Sequence, residues 1–127
     1  MDNMQKEALI RQYIDAYNNF DIEGMLSVLH PNIVFRNYSN NVMEVETTGI
    51  EQFRQLARQG AKLFAQRCQT VEEIQAADSG MKATIEFEGV LADGMPNGLK
   101  AGSRINLKGL SLFEFKDGRI SLIEDYS

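Results

Sequence analysis

Apolar residues recur along this chain with two different periods, and the change of period divides it. Ile10, Tyr13, Ile14 and Tyr17 stand three or four positions apart, which predicts an amphipathic helix over residues 4–18 with both tyrosines near its apolar stripe. Asp21 is placed to cap a short second helix whose Ile22, Met25, Leu26 and Leu29 share a face, with His30-Pro31 as its stop. A strand is predicted next, from Asn32 to Tyr38, in which Ile33, Phe35 and Asn37 oppose Val34, Arg36 and Tyr38. The polar stretch SNNVMEVET reads as a loop leading to Thr48, where T-G-I-E has the form of a capping box with Glu51 reaching back. Phe53, Leu56, Ala57, Gly60 and Phe64 then mark the buried face of a third helix.

Beyond Cys68 the period is two. TVEEIQAA, the turn at Asp78-Ser79-Gly80 and MKATIEFEGVL predict a hairpin, and the loop from Ala92 to Gly102 leads to a final strand pair turning at Asp117-Gly118. The first strand of that pair, Ser103 to Phe115, is about twice the usual length, and Gly109 at its middle predicts a bend or bulge. Ser111, Phe113 and Phe115 fall on one face, as do Ser121, Ile123 and Asp125 on the last strand. A serine and an aspartate therefore stand on an otherwise aromatic face, where they are solvated at an edge, satisfied by a partner, or available to a ligand. The order of elements predicts a single α+β domain over 1–127. In it a strongly curved, mostly antiparallel sheet wraps around three N-terminal helices to form a cone with a pocket.

Composition narrows the functions. Hydrophobic residues at 43% and charged ones at 24% are ordinary for a globular domain, and no apolar run has the length of a membrane span. The N-terminus, MDNMQKEAL, lacks a signal core, so a cytoplasmic protein is expected. A net charge of -5 with both signs interleaved gives no phosphate-tracking stripe, and neither nucleic acid nor membrane is expected as a partner. The single cysteine, Cys68, reads as a small hydrophobe at a helix-to-strand junction. No Cys/His cluster has zinc spacing, and no metal or cofactor is expected. His30, the sole histidine, suits a cap or surface role. Glu86 and Glu88 share a face with Thr84, which fits a solvated convex face better than a paired-carboxylate site.

Three stretches, YIDAYNNFDIEGMLSVLHPNIVF, T-G-I-E-Q-F and FEFKDGRISLIEDY, resemble the nuclear transport factor 2-like superfamily in its SnoaL-like and ketosteroid-isomerase-like branch. The resemblance covers nearly the whole chain and implies a cystatin-like α+β barrel, a SnoaL-like domain. It implies no single activity, since the superfamily includes isomerases, polyketide cyclases, dehydratases, limonene-type epoxide hydrolases and non-catalytic dimers. Tyr13 matches the steroid isomerases' helix-1 tyrosine, but their base falls on Asn37 and their protonated aspartate on Ser111. An amide cannot abstract a carbon-bound proton, so steroid isomerisation is excluded. The epoxide hydrolase pattern is matched at Asn37 and at Asp125 in E-D-Y. It is broken at Phe35, where a tyrosine belongs, and in TIEFE, which lacks the expected arginine.

Asp125, Asn37 and Tyr13 are the candidate catalytic groups, and Tyr17, Phe35, Phe64, Phe87, Ser111 and Phe113 the candidate binding groups, with Met25 and Met43 as further apolar walls. The tyrosines also fit plain core positions, and Asp125 also fits a solvated chain end. An Asp125 inside the cone should have its pKa raised toward neutrality, opposed by hydrogen bonds from Asn37 or Tyr13. Ser111 would serve as a polar anchor, because no histidine is placed to activate it. Three functions remain open. One is an enzyme acting on a neutral hydrophobic substrate by hydration, dehydration, isomerisation or cyclisation. Another is a non-catalytic binder of a small hydrophobic molecule. The third is a dimeric interaction module that uses the outer face of the sheet. Whichever holds, a homodimer is expected through Leu110, Leu112, Leu122 and Tyr126 on that face.

Overall fold

Helix α1 (Asn3–Asn18) begins at a reciprocal cap: Asp2 accepts the Gln5 N–H at 2.8 Å, and the Gln5 side chain accepts the Asp2 N–H at 3.0 Å. Its stripe is buried as predicted, with Ile10, Tyr13, Ile14 and Ala16 against the sheet. A computed structural model describes residues 1–92 and 98–127; residues 93–97, within the predicted loop from Ala92 to Gly102, lie outside the described residues. Asp21 caps α2 (Ile22–Leu26) by accepting the Gly24 N–H at 2.9 Å. That helix is shorter than predicted. Leu29, His30 and Pro31 already belong to strand β1 (Leu29–Ser39), and Pro31 is exposed where the ladder shifts register between Leu29 and Val34. His30 is correspondingly buried rather than a helix cap: its Nδ1 accepts the Asn32 N–H at 3.0 Å and its Nε2 faces Asp117 at 3.4 Å.

The stretch expected to be a loop is instead a strand, β2 (Val42–Thr48), paired with β1 through Asn40-Asn41. Both asparagines have positive φ, 51° and 65°, the conformation a tight hairpin turn demands. Helix α3 (Ile50–Leu63) follows Gly49, and the predicted capping box is absent: Gln52 takes the Thr48 N–H at 2.8 Å, while Glu51 pairs with Arg54. Phe64 opens strand β3 (Phe64–Ala77) instead of closing the helix. Strands β4 (Gly80–Leu91), β5 (Arg104–Lys116) and β6 (Arg119–Tyr126) complete the chain.

The strands form one sheet in the order β2-β1-β6-β5-β4-β3, antiparallel except where β1 and β6 run parallel. It is curved and mixed but unclosed, so the cone is an open one, with the helices on its concave side. Gly109 is not a bulge, because the β4–β5 ladder runs without a shift from Met81↔Phe113 to Val90↔Arg104. A Cβ there would stand 2.6 Å from the Tyr126 carbonyl oxygen, so glycine admits the chain end. The irregularity lies nearer the turn. Glu114 faces Leu122 while Phe115 faces Ile120, which leaves Ser121 as an extra residue and puts Ile120, not Ser121, beside Ile123 in the core.

Alternation on β4 settles the glutamates: Met81, Ala83 and Ile85 are buried, while Glu86 and Glu88 lie on the convex side, with Glu86 3.9 Å from Lys108. Cys68 is exposed on β3, not buried at a helix junction. Met43 is exposed on β2 and walls no cavity described below.

Candidate functional site

Strand register gathers Asn37, Asp125 and Ser111 of the concave face into one cross-strand row. Val45 pairs with Asn37, Asn37 with Asp125, Asp125 with Ser111 and Ser111 with Ala83. The next row is Thr47, Phe35, Ile123, Phe113 and Met81, apolar but for its edge residue. The serine and aspartate that stood out in the sequence are therefore neighbours, and the Ser111 hydroxyl donates to Asp125 Oδ1 at 2.6 Å. That donor is Ser111 rather than Asn37 or Tyr13; neither of those makes a hydrogen bond to Asp125.

A cavity of about 330 Å³ lies between this row and the helices, bounded by Tyr13, Tyr17, Phe35, Asn37, Phe53, Phe64, Arg67 and Asp125 among others. A second hollow of about 230 Å³ adjoins it and shares Tyr17, Asn37, Phe64, Gln69 and Asp125; Phe87 and Ser111 belong to this one. Asp125 stands at the junction. Phe113 does not line either space: it is buried in the core and supports Tyr13 edge-on at 6.4 Å. The walls interlock, with Phe35 edge-on to Phe53 at 5.7 Å and Phe64 to Phe87 at 5.3 Å. Gly89 makes the last contact feasible, since a Cβ there would meet the Phe64 ring at 2.8 Å.

Electrostatics set the acid apart. Burial raises the Asp125 carboxyl from 3.8 to about 6, opposed by the Ser111 hydrogen bond, and no cation pairs with it among the described residues. Burial also pushes the Tyr13 phenol well above its ordinary value, with Asp125 and then Tyr17 adding to the rise. Tyr13 thus stays a neutral donor, and its hydroxyl has no hydrogen-bond partner among the described residues. Tyr17 is raised as well, by burial first, with Arg67 opposing.

Arg67 and Gln69 were not anticipated. Both lie on the concave side of β3, in a stretch whose alternation is hidden in sequence behind the last apolar residues of α3. Asn18 fixes Gln69 to the end of α1: its side-chain N–H donates to the Gln69 carbonyl at 3.0 Å and its amide oxygen accepts the Gln69 N–H at 2.7 Å. A period-two reading of residues 64–71 would have put Arg67, Gln69 and Val71 on one face. Among the described residues no cluster of His, Cys, Asp and Glu could hold a metal, and no helix is long and apolar enough to cross a membrane.

Helices held in an open, curved, mixed sheet match the cone fold of nuclear transport factor 2-like and ketosteroid-isomerase-like proteins. Residues 10–123 match the model of the SnoaL-like domain, and the chain belongs to that family. No curated protein matches the sequence. Among solved structures it is similar to a candidate polyketide cyclase from Xanthomonas campestris, 20% identical, covering 98% of this chain and 90% of that one with a TM-score of 0.79. It is also similar to an LEH-like epoxide hydrolase from M. tuberculosis, at 18% identity, 97% and 82% coverage and a TM-score of 0.76. A third is a protein of ketosteroid isomerase-like fold from Catenulispora acidiphila, solved with trimethylamine, at 12% identity, 94% and 84% coverage and a TM-score of 0.77. At these identities the likeness establishes the fold.

Proposed function

We propose that the cavity takes up a small, largely hydrophobic molecule and that Asp125 moves a proton on it, in an isomerase-, cyclase- or hydratase-type reaction. One observation carries this reading: a carboxyl at the junction of two aromatic-walled spaces, hydrogen-bonded among the described residues only by Ser111, at 2.6 Å, and poised at about 6. Near its pKa such a group works in both directions. As carboxylate it takes a proton from a water or from a carbon beside a carbonyl. As acid it returns that proton to a departing oxygen or to another carbon, so no net proton is consumed. Tyr13 is the donor for oxygen that gains charge, and Asn37, paired with Asp125 across the parallel ladder, orients the reacting group.

Turnover in a screen of epoxides, enones and polyketide-like compounds tests the reading. Asp125→Asn should lower any activity found by at least about 100-fold while leaving the circular dichroism spectrum intact. Unchanged turnover would sink it. A non-catalytic binder is favoured by the lack of hydrogen bonds from Asn37 and Tyr13 to Asp125. It predicts equal ligand affinity in wild type and Asp125→Asn, with no product from either.

The same reading includes a homodimer through the convex face, where Leu110, Leu112, Leu122 and Tyr126 are half-buried and Tyr126 stacks on Tyr38 at 4.7 Å. Sedimentation at micromolar concentration should give about twice the 14.3 kDa chain mass; a stable monomer removes the dimer.

A further inference from the structure

We infer that Arg67 anchors an anionic oxygen, so that the molecule entering the cavity is an apolar body carrying one carboxylate, phenolate or enolate group. The inference rests on the cavity being a small-molecule site and deepens that reading by naming the charge of the molecule.

Arg67 is 7% exposed, and no carboxylate lies within salt-bridge distance of it among the described residues. Its guanidinium is held from three sides. Nε donates to the Tyr17 carbonyl at 2.9 Å, the guanidinium carbon lies 3.7 Å from the centre of the Tyr17 ring, and the Phe20 ring covers it at 4.5 Å. Phe20 adopts the left-handed conformation, φ 56°, to reach that position. A guanidinium so stacked cannot swing out to water, and Nη2 is left buried with no hydrogen-bond partner among the described residues.

A buried N–H without an acceptor is costly, and a buried charge without a counter-charge more so. A neutral carbonyl from a ligand would answer only the first need. An anionic oxygen in the plane of the guanidinium answers both, in the fork geometry that arginine favours for such groups. Asp125 borders the same cavity but does not pair with Arg67. Tyr13 feels both charges, Asp125 raising its pKa and Arg67 lowering it, and so stands within reach of each. A molecule anchored at Arg67 therefore lies along Phe35 and Phe64 with its far part at Asp125, which fixes the end presented for proton transfer.

The test compares 2-naphthoate with its neutral isostere 2-naphthamide by titration calorimetry on the intact protein. Wild type should bind the naphthoate at least about tenfold more tightly, and Arg67→Met should remove that preference while changing naphthamide affinity less than about threefold. Arg67→Lys should restore part of it, since the charge returns without the fork. The Arg67 Nε–H resonance of wild type should move with naphthoate and not with naphthamide, a readout that needs no variant. Equal affinity for the two probes, no binding of either, or equal loss of both in Arg67→Met would overturn the inference. Asp125→Asn separates this inference from the catalytic reading: it should keep or improve naphthoate binding even if no turnover is ever found.

Discussion

The two faces of the sheet treat charge in opposite ways. On the convex side Arg36 donates to Glu46 at 2.7 Å and to Glu124 at 3.1 Å, and Lys108 approaches Glu86. On the concave side, among the described residues, Arg67 lies between two aromatic rings without a carboxylate, and Asp125, the very next residue after Glu124, has a hydroxyl as its donor and no cation. Both polarities are present in one cavity and are kept apart. A chain shaped for stability alone would pair these groups or replace them with apolar ones, because unpaired buried charge opposes folding. Local departures from such rules gather where a protein binds or reacts, and here two of them border the same 330 Å³.

The contrast is tested most strongly by Asp125→Asn. A carboxyl held at about 6 in the fold and 3.8 in the unfolded chain binds its proton more tightly when folded. Its favourable contribution is complete below 3.8 and is lost as the pH rises through about 6. At neutral pH the ionised group therefore opposes folding, by at most about 3 kcal/mol given its partial access to the cavity. The variant should accordingly be more stable than wild type in urea at pH 7.5, by up to about 3 kcal/mol, with the gain shrinking toward pH 4. A loss of stability at pH 7.5 would mean that Asp125 is satisfied after all.

Ser111→Ala acts on the same carboxyl through its one hydrogen bond among the described residues. A bond to an ionised group is worth about 1.5–3 kcal/mol, and water reaching in from the adjoining hollow should hold the loss near the lower end at pH 7.5. Without this donor the Asp125 pKa should climb further above 6, which an NMR titration of its side-chain carbon reads directly. An unmoved titration would show that the hydrogen bond does not govern the acid.

How much of this was legible in the sequence follows the same division. Period disclosed the helices and the last two hairpins, the Asp21 cap located α2, and the polar pair on an aromatic face disclosed Ser111 and Asp125. Strand β2 was missed because it is an edge strand: Val42 and Met43 are exposed and Glu44 and Glu46 interleave, so no face reads as apolar. Arg67 was missed for a related reason, a concave position filled by a charged residue near the start of β3, where Phe64 reads in sequence as the last apolar residue of α3. The bulge at Ser121 depends on pairing across a turn, which no single strand's pattern contains. Phe113 was placed on the right face but too near the cavity, because alternation gives a face and not a depth.

The smallest effect is the most discriminating. Glu124→Gln removes one of two carboxylates from a half-exposed Arg36, and Glu46 remains at 2.7 Å, so the loss should be about 0.5 kcal/mol and should fade in high salt. Like Asp125→Asn it makes the chain less negative by one charge. With a net charge of -5, general repulsion is relieved equally by either change, and relief alone would stabilise both variants. Opposite signs at adjacent residues can arise only from the face each side chain occupies. Urea unfolding of the two variants side by side at pH 7.5 measures that difference. Should Glu124→Gln gain stability to the same extent as Asp125→Asn, the acid in the cavity is no more strained than a surface carboxylate, and the distinction between the faces fails.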